Sequence, residues 1–387
     1  MTDAYEDDPR KAYNELRQKF AGVAGAELKS GAWLVKMVQW VLETHAKEVD
    51  AAYLTRKYPG AGPVNQAKKA IGLASKYAAV VGGASATAVT ALEFSIPLTA
   101  GLDTAIAVPI IGTAILADVL TTTRVQLRTT YDLSVIHGVP LDVDDVEDCY
   151  LVFTTAMGIS LAEGAGDLVR TVSPKIVAFN VRKMLRAGLR GALVKMITKI
   201  AGTQASKKIT EKALMRLLVP GLSIPISAGM SYAFTRSILE SANRRMLRRG
   251  AVILPLAQLY QQVPDLPRDA ALRALITVIE APKREGGWDE RQLDALRHTQ
   301  SALKLDDDAV AVLEGWFDRT PDDVASGLPQ MTERGGRLLV EYLATAAALG
   351  SQAQHDVAYA AAIGKIAAPS GAPFDAADIA SIRRRLA

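Results

Sequence analysis

Cysteine is almost missing from this chain. Cys149 is the only one among 387 residues, so no intrachain disulfide can form, and a reducing compartment is expected. Histidine is scarce as well. His45, His137, His298 and His355 are scattered, with no His-x₃-His pair and no cysteine partner nearby. That excludes the usual spacing of a structural zinc site or a Cys/His nucleophile. Each histidine is read as a surface or polar-contact residue. Aromatic residues make up only 6%, which argues against a β-sandwich, whose strands favour aromatic and β-branched side chains. No G-x-x-x-x-G-K-[ST] sequence occurs, so no P-loop is expected. The opening "MTDAYEDDPRKAYNEL" is acidic and polar, without the basic-then-apolar order of a secretory signal.

Long uncharged runs are few. Leu217–Thr235 holds 19 residues between Arg216 and Arg236, and Pro220 and Pro225 interrupt it. Residues 104–117 are uncharged but are broken by Pro109. A spanning helix needs about 20 predominantly apolar residues, and each proline removes a backbone donor. The expectation for 217–235 is therefore a Pro-broken apolar hairpin, packed in protein or dipping into one leaflet, and not a span.

What the chain has in quantity is alanine, glycine and helical periodicity. Hydrophobic residues reach 49% and mean hydropathy is +0.13. This mix favours closely packed helices, and no stretch alternates with period two, so the expected fold class is all-α. Helices are expected over 9–29, 31–49 (with Trp33, Met37, Trp40 and Val41 on one face), 64–96, and along the stretch that ends at Gly138. A turn is expected at 58–63, "YPGAGP". The texture changes at "LYQQVPDLPRDA". Two domains follow from this: 1–258, then a linker at 259–268, then 269–387. The second domain reads as a diverged pseudo-repeat, each half an apolar helix, a short turn and a second helix.

Charge is distributed in blocks. Residues 1–174 carry 15 Lys/Arg against 20 Asp/Glu, residues 175–249 carry 16 against 2, and residues 250–387 carry 14 against 19. The middle block is the strongest functional signal. Lys195, Lys199, Lys207, Lys208, Lys212 and Arg216 precede the apolar stretch, and Arg236, Arg244, Arg245, Arg248 and Arg249 follow it. Bases on both sides of an apolar element suit an anionic lipid surface, at about 1 kcal/mol per Lys or Arg. Two alternatives stay open. The bases can pair with acidic regions of this chain or of a protein partner, or they can meet nucleic acid. Nucleic acid ranks last, because the segment has few aromatics for stacking and no recognisable nucleic-acid motif.

Two stretches within 60–250 resemble the EcsC family of bacterial proteins. "LTAGLDTAIAVP" followed by "ILADVLTTTRVQLRTTYDLSVIHGVPLD" is similar to that family's small-residue run, Ala-Asp pair, polar helix and turn before an acidic helix. His137 stands where an aromatic is usual. "VPGLSIPISAGMSYAFTRSILESANRRML" resembles its later Pro-and-small-residue hairpin. The resemblance implies a mainly helical, membrane-associated or secretion-related protein without an established catalytic set. The second domain resembles TerB-like helical domains, with departures. In "KREGGWDERQ" Glu285 stands where Asp is usual and Gln292 where an acid often lies. "LGSQAQHD" keeps only Asp356. A metal role is therefore not expected, nor is a cofactor.

The acidic run "LDVDDVED" lacks the Gly and Glu positions of an EF-hand and reads as a helix N-terminus capped by Asp142. Glu93, Asp103 and Asp118 are the only catalytic candidates, as carboxylates near apolar surroundings. Arg128 and Asp132, spaced i, i+4, are expected to pair. Together these readings describe a cytoplasmic scaffold or adaptor at the inner face of a membrane, with a protein-interaction domain at its second half. A soluble protein–protein adaptor and a lipid-directed enzyme are the alternatives.

Overall fold

A computed structural model describes residues 32–95, 121–143, 148, 152, 223–282, 289–305, 316, 319–350, 352–371 and 374–386. Among the described residues every regular element is a helix and no strand occurs, so the all-α class holds. The chain divides into two compact units, Met1–Ser160 with Arg190–Asn243, and Leu161–Leu189 with Arg244–Ala387.

The first unit contains α1 (Ala32–Ala46), α2 (Ala51–Lys57), α3 (Pro63–Ser95), α4 (121–136) and the beginning of α5 (Ser223–Gln262). Asp50 caps α2, its carboxylate accepting from the Tyr53 amide at 2.6 Å. Gly60 adopts φ +69° in the turn before α3, a conformation that glycine reaches without steric cost. Among the described side chains of α1, Val38, Val41, Leu42 and His45 are buried. Of the face expected from sequence, Val41 is buried, Trp40 is half-buried with the Arg124 guanidinium 5.3 Å from its ring centre, and the side chains of Trp33 and Met37 lie outside the described residues. The α4 helix ends as expected at Gly138. The Val139 amide reaches back to the Ser134 carbonyl and the Gly138 amide to the Val135 carbonyl, with Gly138 at φ +75°. That pair of bonds is a Schellman motif.

The second unit holds the end of α5 with α6 (Ala270–Glu280), α7 (Glu290–Leu303), α8 (Pro321–Ser326), α9 (Glu333–Ala348), α10 (Asp356–Ala367) and α11 (Ala376–Leu386). Helix α9 is buried along most of its length and packs against α6, α7, α10 and α11. The residues expected to form a linker are occupied otherwise. Helix α5 continues to Gln262, and Leu259, Val263 and Leu266 all belong to the second unit's core. Leu259 lies on the core face of α5, and Val263 and Leu266 follow it in the turn beyond the helix. The Tyr260 hydroxyl then fastens the turn, 2.7 Å from the Arg268 carbonyl.

The two runs read from sequence fall on the helix pairs α6–α7 and α9–α10. Asp289 caps α7 and Asp356 opens α10. The residues three places on, Gln292 and Tyr359, are hydrogen-bonded to each other at 3.0 Å in the core.

The start of α9 leaves no room for a β-carbon. A Cβ at Gly335 would lie 2.8 Å from Cγ2 of Val263. Gly335→Ala is expected to lose roughly 1–3 kcal/mol from overpacking, although alanine is the better helix former. Gly364 lies inside α10 with nothing within 4 Å of that position, so Gly364→Ala is expected to gain about 0.5–1 kcal/mol. Urea denaturation of the two variants tests the contrast.

Candidate functional site

Helix α5 carries the described part of the site expected from sequence. It begins at Ser223, so Pro225 lies in its first turn, where helix amides have no intrahelical acceptor to lose. The described residues of the expected hairpin, 223–235, are therefore one continuous helix that runs on through Arg236. The helix touches α3 closely: a Cβ on Gly83 would be 3.6 Å from Ala228 Cβ.

Helical spacing puts Met230, Phe234, Ser237 and Ser241 on one face, and all four are exposed. Met230 is 48% and Phe234 46% exposed, high values for large apolar side chains in a folded unit. Arg236 is exposed nearby. Its Nε donates to Glu240 at 2.8 Å and its Nη1 to the Tyr232 hydroxyl at 2.9 Å. Val80 of α3 is also exposed, as is Lys76 one turn before it.

The remaining described arginines separate sharply. Arg244 is exposed. Arg245 pairs with Asp294 at 3.5 Å, Arg248 donates to the Leu386 carbonyl at 3.3 Å, and Arg249 is buried. These three differ from the expectation of lipid-facing bases. The cause is legible in the spacing, because Arg249, Val252, Leu256, Leu259 and Val263 follow one helical face, and that face is core. Lys195, Lys199, Lys207, Lys208, Lys212 and Arg216 lie outside the described residues, as do Asp103 and Asp118. Glu93 lies within α3, at a position whose side chain is likewise outside them.

The arginines act on His298, which is half-buried between them. Burial first, then Arg249, Arg245 and Arg297, holds its pKa well below the ordinary 6.5. His137 is lowered too, by burial, against a hydrogen bond to Asn243 at 2.8 Å. In the unfolded chain both would take protons near pH 6.5, whereas the folded state resists doing so. Stability is therefore present above that pH and falls as the pH drops below it, until the lowered folded-state values are reached. The melting temperature should decline from pH 7 to pH 5.5, with a shallower decline in His298→Gln.

The sequence reading makes α4 a polar helix; that its polar side chains are buried is what sequence reasoning missed. Thr121, Thr123, Arg124, Gln126, Thr129, Thr130, Asp132 and Ser134 are all buried. Asp132 does not turn to Arg128 as expected. Its Oδ1 lies 2.7 Å from Nε2 of His45, both residues are buried, and the His45 ring stands edge-on to Tyr131. On the neighbouring face Gln126 Nε2 lies 3.4 Å from Thr235 Oγ1, and Ser231 is one turn earlier on α5. The contacts Gln126–Thr235 and His137–Asn243 advance together, so α4 and α5 run in the same direction along a polar seam. Buried hydroxyls and amides spaced by turns of helix were the available signal. Asp148 is also buried, and its carboxylate accepts from the Asp142 amide at 2.8 Å.

Among the described residues no three His, Cys, Asp or Glu converge as metal ligands. Gln292 is buried and donates from Nε2 to the Tyr359 hydroxyl. No described helix is long and apolar enough to cross a membrane. No family model matches the chain, and no curated protein or solved structure matches it either.

Proposed function

We propose that this chain is a non-enzymatic scaffold that binds an anionic membrane surface peripherally through α5, and that its second unit receives a protein partner. The observation that carries the reading is the exposed pair Met230 and Phe234, one turn apart on α5, with exposed Arg236 beside them. Burying a large apolar side chain is worth about 1.5–3 kcal/mol, and a base at an anionic surface adds about 1 kcal/mol. Two apolar anchors and a few bases give reversible attachment of the kind made by interfacial amphipathic helices. The block of bases between 175 and 249 supplies the attraction, reduced by Arg245, Arg248 and Arg249, which are engaged within the second unit. The EcsC-like stretches agree with this reading.

A soluble adaptor is the second reading. The inward placement of Arg245 on Asp294 favours it, since charge complementarity inside the chain accounts for part of the basic block. Flotation with liposomes separates the two. The membrane reading expects the detergent-free protein to float with anionic vesicles and not with neutral ones, with the floating fraction falling as salt rises. Absence of flotation on either lipid leaves the soluble adaptor.

A further inference from the structure

The second unit contains an apolar groove that the membrane reading does not use. Ile253, Leu256, Ala257 and Tyr260 of α5 form one wall, and Ala302 and Leu303 at the end of α7 form the other. Its volume is about 310 Å³, at the lower end of small-molecule sites. Two cations border it, Arg268 in the turn after α5 and Lys304 at the end of α7. Both are exposed, and neither makes an ion pair among the described residues.

Lys304 has a second peculiarity. It ends α7 at φ 48°, ψ 43°, the left-handed conformation in which helices usually place glycine. A residue with a β-carbon is disfavoured there, and this one sets an ammonium group beside the apolar trough. Leu254, also on α5, is 42% exposed.

We infer that this groove binds a single-chain anionic amphiphile of the long-chain carboxylate class, its tail along α5 and its head group between Arg268 and Lys304. The groove runs along α5 only from Ile253 to Tyr260, about two turns. A peptide helix would need a longer trough for its successive anchors, whereas a tail with one charged end needs only an apolar trough with cations at its border. The two rim cations select a carboxylate over a neutral head group through charge-assisted hydrogen bonds.

The test titrates the full chain with dodecanoate below its micelle-forming concentration, with methyl dodecanoate as the uncharged control. Saturable binding of one dodecanoate per chain is expected, at least tenfold tighter than the ester. Arg268→Gln/Lys304→Gln should weaken it tenfold or more. Ala257→Trp, which fills the trough from an exposed position, should abolish it. Unchanged melting temperatures establish that the variants fold. No saturable binding, equal binding of the ester, or binding indifferent to Ala257→Trp would each overturn the inference. The ligand is monomeric, so the outcome is independent of flotation.

Discussion

Asp132→Ala is expected to destabilise the first unit by roughly 3–5 kcal/mol, the cost of leaving one member of a buried pair without its partner. Asp132 and His45 meet at 2.7 Å with side chains 1% and 4% exposed. Removing the carboxylate strands the imidazole, whose Nδ1 already lacks a hydrogen-bond partner. It also empties volume between α1 and α4. The pair can be separated from a simple volume effect by a double-mutant cycle. His45→Ala/Asp132→Ala should cost clearly less than the sum of the two single changes. Denaturant unfolding followed by circular dichroism measures all three variants. Additive losses would mean that the two groups do not depend on each other.

Arg383→Met should have the next largest effect, roughly 2–4 kcal/mol, toward the lower part of the range for buried pairs because the guanidinium is 21% exposed. Its two Nη atoms each meet one oxygen of Asp356 at 2.6 Å, and its Nε donates to the Gly350 carbonyl at 3.1 Å. One side chain of α11 thereby fixes the turn between α9 and α10. Arg383→Lys should recover little of the loss, since an ammonium group cannot make the planar two-pronged contact. The melting temperature of the two variants is the measurement. Full recovery by lysine would show that charge alone matters and that the forked geometry is dispensable.

These two pairs also show what the sequence could and could not convey. Helix ends were legible where local chemistry decides them: Gly60 in its turn, and the stop at Gly138. Apolar periodicity gave the second unit's helices. Long-range polar partners were not legible. Arg128 stands four residues before Asp132 on the same helix, and helical spacing alone points to that local pairing. The actual partner, His45, is 87 residues away, and no periodicity links them. The core position of Arg249 was legible in principle from its spacing to Val252 and Leu256, but the run of basic residues obscured it. The prolines misled in the opposite direction. Pro225 looks like a break in an apolar stretch, yet in the first turn of α5 it is compatible with the helix.

The central claim is that Met230 and Phe234 hold the chain to an anionic surface. The most direct measurement compares flotation of the unaltered protein and Met230→Ser/Phe234→Ser on anionic vesicles across a salt series. Both side chains are exposed, so the variant should keep its melting temperature. The account predicts a partition coefficient lowered roughly a hundredfold, from about 3 kcal/mol of lost apolar burial, with the remaining binding removed by salt. Equal flotation of the two proteins at every salt concentration would contradict it.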